Sequence, residues 1–182
     1  MPDLLADLVD ALADQQRLGV LGTSPAEAVA HSDRFVAALP DAGRVLDLGS
    51  GAGVPGLVIA VRRPSLRVTL LDGRARRTDQ LARIVHRLGL ADRVEVVCAR
   101  ADIASQRADL ARSFDAVTAR SFGGPAAVLA ASRPFLVVGG RLLVSEPPAG
   151  AARWEADELV RAGFQPVTGT DVPSGLFVAQ AA

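Results

Sequence analysis

The stretch Arg44-Val-Leu-Asp-Leu-Gly-Ser-Gly-Ala-Gly-Val-Pro-Gly56 decides the fold of this chain. Its opening residues form a short apolar run that leads into glycines, which is typical of a buried strand. The glycines that follow allow the backbone to approach a ligand closely, and they are Gly49, Gly51 and Gly53. Pro55 suits the first turn of a helix, predicted over 55–63, whose free amide groups would face that ligand. Strand, glycine turn and helix start together predict a nucleotide-cofactor site.

Two cofactors are compatible with this loop. Gly51-Ala-Gly-Val-Pro-Gly56 matches the dinucleotide pattern G-x-G-x-x-G, which alone is a weak signal. Asp47 favours S-adenosylmethionine over NAD, because a carboxylate inside the strand end can reach the loop amides or a cationic amino group. Asp72 ends the second strand, where it can hold a ribose diol in either fold. The loop therefore favours S-adenosylmethionine and leaves NAD as the alternative.

Strands and helices alternate along the chain. The predicted strands are 45–48, 67–71, 94–98, 114–118, 140–144, 165–170 and 176–179. The predicted helices are 2–18, 25–39, 55–63, 75–88, 103–110, 125–135 and 154–162. This α/β order predicts a Rossmann-like, doubly wound, mostly parallel sheet with helices on both faces. No helix separates the last two strands, so we expect an antiparallel C-terminal edge pair, as in class I methyltransferases.

Length and composition narrow the class further. The 182 residues are 49% apolar and are expected to form one structural unit, with a helical extension over 1–40 and a methyltransferase domain over 41–182. No apolar run approaches the ~20 residues of a membrane span, and no charged-then-apolar leader opens the chain. We therefore expect a cytoplasmic protein that needs no membrane. Cys98, the single cysteine, is expected in the core and excludes a cysteine-rich metal site, and no metal is expected.

Charge is distributed unevenly although the net charge is zero. All 20 basic residues are arginines; residues 1–47 hold 3 of them against 8 acidic residues, whereas residues 62–107 hold 11 against 5. Guanidinium groups suit phosphate recognition. The basic middle of the chain is therefore either a phosphate-binding zone or an ordinary solvated face.

Several side chains follow strand ends, where ligands of doubly wound sheets bind. Asp102 follows the third strand and either accepts the adenine amino group or caps the helix 103–110. Arg120 and Phe122 follow the fourth strand. The arginine suits a carboxylate or phosphate, and the ring either stacks on a base or packs in the core. His31, in the second helix, is either structural or on the substrate side.

Five segments resemble the ribosomal small-subunit RNA guanine-N7 methyltransferases once called glucose-inhibited division protein B. They are Val45–Leu57, Val68–Asp72, Leu88-Gly-Leu90, Arg100-Ala-Asp102 and Phe114-Asp-Ala-Val-Thr-Ala-Arg-Ser-Phe122, within about 24–144. The resemblance implies S-adenosylmethionine as cofactor and ribosomal RNA or the small ribosomal subunit as partner. The implied cofactor contacts are Gly49, Ser50, Gly51, Asp72, Asp102 and Arg120, to which the loop and its neighbours add Asp47, Gly53, Gly73 and Ala101.

The chain also departs from that family. The family's longer N-terminal region, with its Asn-Leu-Thr segment, is reduced to Leu21-Gly-Thr-Ser24, and its Arg-His-x-x-Asp-Ser signature to Ala30-His-Ser-Asp33. Ser145-Glu-Pro147 replaces a Lys-Gly pair, and Pro173-Ser-Gly175 replaces an Arg-His segment. Cofactor elements are retained while presumed RNA elements are altered. A short family member and a divergent paralogue both fit this pattern.

The expected chemistry is an in-line methyl transfer, which depends mainly on alignment. Guanine N7 has a free lone pair, so no general base is required. We expect Arg120 and Phe122 to position the acceptor and Glu146 to steady positive charge on the methylated purine.

Three functions remain open at this stage. An RNA guanine-N7 methyltransferase predicts a basic rim built from Arg74, Arg76, Arg77 and their neighbours. A small-molecule methyltransferase predicts a closed apolar pocket covered by the short N-terminal region. A non-catalytic cofactor-binding module predicts cofactor binding without an acceptor.

Overall fold

The structure is a computed structural model that describes residues 3–146, 153–167 and 172–182. The strands are β1 (Gly43–Leu48), β2 (Leu66–Asp72), β3 (Val94–Cys98), β4 (Phe114–Ala119), β5 (Leu136–Ser145), β6 (Phe164–Pro166) and β7 (Leu176–Ala181). The helices are α1 (Leu4–Arg17), α2 (Pro25–Ala38), α3 (Gly56–Arg62), α4 (Ala75–Arg87), α5 (Ala101–Ala104), α6 (Pro125–Ser132) and α7 (Ala156–Arg161). A 3₁₀ turn, Arg133–Phe135, follows α6.

The described strands form one seven-stranded sheet in the order β3-β2-β1-β4-β5-β7-β6. The first five pair in parallel, and β7 pairs antiparallel with both β5 and β6. The predicted fold class and the antiparallel C-terminal pair are therefore confirmed. The edge strand β6 ends at Pro166, before the described Val167, and the predicted strand residues 168–170 lie outside the described residues.

Alternating side chains of the strands build two hydrophobic clusters, one on each face of the sheet. In β1, Val45 points to the cluster that packs under α1, α2, α3 and α4, whereas Leu46 and Leu48 point to the cluster beneath α5, α6 and α7. Asp47, between two members of the second set, consequently faces α3. This alternation decides which β1 side chains can reach each side of the glycine turn.

The two N-terminal helices begin at well-formed caps. The Asp3 side chain accepts bonds from the first turn of α1, and Ser24 and Glu27 form a reciprocal capping box at the start of α2. Leu12 and Phe35 are fully buried in the same cluster as β1 and α3. The predicted helical extension is therefore packed into the sheet's own core and frames the edge where β4 ends.

Two sequence expectations about local structure are wrong. The predicted helix 103–110 is only the single turn α5, Ala101–Ala104, so Asp102 lies inside it instead of capping it. Cys98 is exposed, because β3 is the edge strand of the sheet and its last residue points away from the core that buries Val97.

Candidate active site

The glycine turn is tied to the end of β2 through its own backbone. The amides of Gly49 and Ser50 both donate to the carbonyl of Leu71, at 2.8 and 3.0 Å, and Gly51 N donates to Asp72 Oδ2 at 3.0 Å. These bonds use the first amides of the turn, so the turn acts as a rigid floor. Asp72 is buried at the strand end and also accepts from Arg74 N at 2.9 Å.

Asp47 braces the turn from the α3 side of the sheet. Its Oδ2 accepts from Gly56 N at 3.2 Å and its Oδ1 accepts from Thr118 Oγ1 at 2.9 Å. The expectation that the helix amides face the ligand is therefore wrong at Gly56, whose N–H is taken by this carboxylate. Burial raises the pKa of Asp47 to about 6, against the opposing effect of its hydrogen bonds. The sequence predicted that this carboxylate would reach either the loop amides or a cationic amino group, and in the structure it accepts from a loop amide.

A pocket of about 500 Å³ opens at the carboxyl ends of β1, β2 and β3, and we name it the β2 pocket. Its polar wall includes Asp72 and Asp102. The Asp102 carboxylate pairs with Arg100 Nε at 3.1 Å, and this hydrogen bond lowers its pKa. The apolar wall comprises Leu48, Leu71, Ala99, Ala101, Ala127, Ala130, Ala131 and Pro134. Small side chains on α6 thus leave a flat apolar slot beside two carboxylates.

Five of the predicted cofactor residues line the β2 pocket: Gly49, Asp72, Gly73, Ala101 and Asp102. Four others, Asp47, Ser50, Gly51 and Gly53, lie in the strand end and turn beneath it. Gly53 has φ of +95°, and a Cβ atom there would clash with Leu57 Cδ1, so the backbone conformation and the packing both favour glycine. The tenth, Arg120, lines a neighbouring pocket instead.

Phe122 forms the wall between the two pockets. The ring is 37% exposed, lines both cavities, and does not pack in the core. A Cβ atom on Gly49 would lie 2.7 Å from Phe122 Cδ2, and Gly49 has φ of +71°. Glycine at position 49 therefore serves both the turn geometry and the close approach of the aromatic ring.

The second pocket, of about 300 Å³, lies at the ends of β4 and β5, and we name it the β4 pocket. Its lining is His31, Arg120, Ser121, Phe122, Gly123, Val144, Ser145, Glu146 and Arg153. Arg120 is half-buried; its Nη2 lies 3.5 Å from Thr23 Oγ1, and burial lowers the pKa of its guanidinium. The α1–α2 region thus helps to hold this cation in place.

Glu146 is held in the wall of the β4 pocket. Its Oε1 accepts from Arg153 Nη2 at 2.7 Å and from Trp154 Nε1 at 2.9 Å. Trp154 in turn stacks on Phe177 of β7, with ring centroids 3.9 Å apart. The carboxylate lines the β4 pocket together with Arg120 and Phe122, and its charge is balanced by Arg153, which the sequence analysis did not identify. Pro147 and Pro148, which follow Glu146 in the sequence and were expected to continue the loop after the fifth strand, lie outside the described residues.

The predicted basic rim is present in part. Arg74 and Arg76 are exposed at the start of α4, at the same edge of the sheet as both pockets. Arg77 is 3.5 Å from Asp72 Oδ2 and is only partly exposed. Other arginines of the basic zone pair with nearby carboxylates, as in Arg62–Asp33, Arg63–Asp41, Arg87–Asp14, Arg100–Asp102 and Arg107–Asp109. Local pairing therefore removes much of the excess positive charge.

Two kinds of feature are absent from residues 3–146, 153–167 and 172–182. None of the helices there has the length and apolarity needed to span a membrane. The same residues contain no group of three or more His, Cys, Asp or Glu side chains placed to hold a metal ion.

Comparison with solved structures defines the class of fold. A Corynebacterium glutamicum protein superposes with a TM-score of 0.65 at 21% identity, covering 97% of this chain and 90% of that one. A structure described as a predicted O-methyltransferase of Agrobacterium tumefaciens gives a TM-score of 0.58 at 23% identity, covering 82% of this chain and 80% of that one. The fold is the Rossmann-like fold of class I methyltransferases.

The family follows from sequence. The family model for rRNA small subunit methyltransferase G (GidB) matches residues 29–160, and the chain belongs to this family. A ribosomal RNA small subunit methyltransferase G of a Nocardioides species is 44% identical over 119 residues, which is 65% of this chain and 44% of the relative. The chain spans about half the length of the curated relatives it matches, from 44% to 54% for three of them.

Proposed function

We propose that this chain transfers the methyl group of S-adenosylmethionine to the N7 atom of a guanine in small-subunit ribosomal RNA. The observation that carries the proposal is the arrangement of two pockets that share Phe122. The β2 pocket has two carboxylates and an apolar slot, and the β4 pocket has a half-buried arginine. Both pockets open at the same edge of the sheet, so a donor and an acceptor would have to meet past the edge of the Phe122 ring, where the reacting atoms can come within about 3–3.5 Å.

The β2 pocket suits S-adenosylmethionine. Asp72 would accept from the ribose hydroxyls and Asp102 from the adenine amino group, while Ala101 and the α6 alanines would pack on the purine. When bound, S-adenosylmethionine supplies an electrophilic methyl group. The turn at Gly49, Ser50 and Gly51, with Asp47 and Gly53 behind it, would set the cofactor's position against Phe122.

The β4 pocket suits the acceptor. Arg120 and Phe122 would orient the base, because alignment is the main requirement of a methyl transfer to a nitrogen that already has a lone pair. Glu146 would lie near the positive charge that develops on the methylated purine, with Arg153 setting the size of its effect. A polar, charged lining disfavours the closed apolar pocket expected for a small-molecule methyltransferase.

Family membership and the exposed Arg74 and Arg76 support ribosomal RNA as the partner. Both arginines lie at the pocket edge of the sheet, where they would contact phosphates flanking the target base. One observation favours the small-molecule alternative: carboxylates pair with many of the other arginines in the basic zone, which weakens attraction to a polyanion.

Incubation with methyl-labelled S-adenosylmethionine and fractionated cell extract discriminates these functions. Label in small-subunit RNA, mapped to guanine N7, is the expected result. Label confined to the small-molecule fraction would favour the alternative acceptor. Cofactor binding with no labelled product in any fraction would identify a non-catalytic module.

A further inference from the structure

Two buried nitrogen atoms of the β4 pocket have no hydrogen-bond partner among the described residues: His31 Nε2 and Arg120 Nη1. Both residues line the same cavity. A buried polar atom without a partner costs about 1–3 kcal/mol, so two of them in one pocket need a physical reason.

The two atoms differ in hydrogen-bonding character. A guanidinium nitrogen can only donate. Burial lowers the pKa of His31, and the cations of Arg120 and Arg34 lower it further, so the imidazole is neutral at neutral pH. The remaining charged groups of the pocket, Glu146 and Arg153, are paired with each other. Since a neutral imidazole has one accepting nitrogen, the lining of the pocket contains a donor and an acceptor that both lack a partner among the described residues.

We propose that Arg120 and His31 together recognise guanine, with Arg120 Nη1 donating to O6 and His31 Nε2 accepting from N1–H. Guanine carries this acceptor–donor pair on adjacent atoms, whereas adenine carries the reverse pair, an amino donor beside an N1 acceptor. Guanine N7 lies on the other side of O6 and stays unbonded. The inference rests on the proposed function and adds His31 to it as a positioning residue.

The same pocket is less suited to a phosphate group. Arg153 is held by Glu146 through three contacts of 2.7–3.2 Å, so it is not free to bind an anion. The Glu146 carboxylate in the wall would also repel one. A base edge therefore fits the lining better than a phosphate.

Histidine NMR tests the proposal, because the chain has only two histidines and His86, exposed on α4, is an internal control. The protein with bound S-adenosylhomocysteine is titrated with the 5′-monophosphates of guanosine, inosine, 7-deazaguanosine and adenosine, and with inorganic phosphate. The first three nucleotides share O6 and N1–H and should shift the His31 signals, leaving those of His86 in place. Adenosine monophosphate should bind about tenfold more weakly or not at all.

A stationary His31 signal, or equal shifts by all nucleotides or by inorganic phosphate, would overturn the proposal. His31→Ala should abolish the preference for guanine over adenine, and His31→Gln, which keeps an accepting oxygen, should restore part of it. In RNA methylation the alanine variant should raise KM more than it lowers kcat, with unchanged affinity for S-adenosylhomocysteine. His86→Ala is the matched control.

This test separates the inference from the proposed function. 7-Deazaguanosine lacks N7 and cannot be methylated there, so its binding reports recognition alone. Selective nucleotide shifts without any methylation of ribosomal RNA would contradict the proposed function and support the recognition pair. Methylation of ribosomal RNA with unselective nucleotide shifts would support the proposed function and contradict the recognition pair.

Discussion

The two pockets differ in how they are built. The β2 pocket is lined by glycines, small apolar side chains and two carboxylates, of which Asp72 is held in place by the backbone amides of Gly51 and Arg74. The lining of the β4 pocket includes three long charged side chains, Arg120, Glu146 and Arg153, and two of its nitrogen atoms have no partner among the described residues. A pocket of the first kind is rigid before its ligand arrives, whereas one of the second kind is completed by its ligand. This difference supports the proposed roles, cofactor binding for the β2 pocket and acceptor choice for the β4 pocket.

Arg120→Ala is expected to have the largest effect, and this effect should be on the acceptor and not on the cofactor. Removing the guanidinium should lower kcat/KM for RNA methylation about 100-fold, since misplacement of the acceptor affects the reacting geometry directly. The dissociation constant for S-adenosylhomocysteine, measured by calorimetry, should not change. Arg161→Ala, at an exposed site on α7, is the control. Weakened cofactor binding in the Arg120 variant would contradict the proposal that the two pockets have separate roles.

Asp72→Asn is expected to have the opposite effect, weaker binding of the cofactor with little change in binding of the RNA. Loss of a carboxylate that accepts charge-assisted bonds should weaken S-adenosylhomocysteine binding about 10- to 100-fold. The KM for RNA at saturating cofactor should stay within about twofold of the wild-type value, because Asp72 lies away from the β4 pocket. Asp79→Asn, on the exposed side of α4, should change neither quantity. A selective rise in the RNA KM would contradict the assignment.

Gly49→Ala tests the contact between the glycine turn and Phe122, the residue that lines both pockets. The new methyl group would meet Phe122, so cofactor affinity should fall roughly tenfold. The positive φ should also cost about 1–2 kcal/mol of unfolding free energy. Gly19→Ala is a matched control, because Gly19 has the same φ of +71° with no heavy atom within 4 Å of its added Cβ. It should lose similar stability and keep cofactor affinity; equal affinity losses in both would exclude a role for the Phe122 contact.

A further effect, on stability instead of binding, is expected from Asp47, which supports the turn from below. The raised pKa of Asp47, about 6, means that the folded protein holds its proton more tightly than the unfolded chain does. The unfolding free energy should therefore decrease from pH 4 to pH 6, by roughly 2 to 3 kcal/mol from this group alone. Urea unfolding of wild type and Asp47→Asn across this range isolates the contribution as a difference. A difference independent of pH would show that Asp47 titrates normally.

The β2 pocket could be predicted from the sequence because its parts are local. One strand, one glycine turn and Asp72 lie within 30 residues, and parallel strands end at a common edge. Within that region the side on which Asp47 lies follows from the two-residue period of β1. The length of α5 was predicted wrongly, because a single helical turn is too short to show a helical period in the sequence.

The β4 pocket could be predicted only in its individual residues. Thr23 and Arg120 meet across 97 positions, and Glu146 pairs with Arg153, which lies after six residues that the structure does not describe. No local pattern encodes such pairs, since they depend on how α2, β4 and β5 pack. The exposure of Cys98 was also not predictable from local sequence, because it follows from the position of β3 at an edge of the sheet, and strand order decides that position.

A crystal structure with S-adenosylhomocysteine tests the two-pocket account most directly. We predict the adenosine between Asp72, Asp102 and the alanines of α6, with the sulfur at Phe122 on the side facing Arg120. Adenosine bound in the β4 pocket, or at the opposite end of the sheet beside Arg44, Arg67 and Arg93, would contradict it.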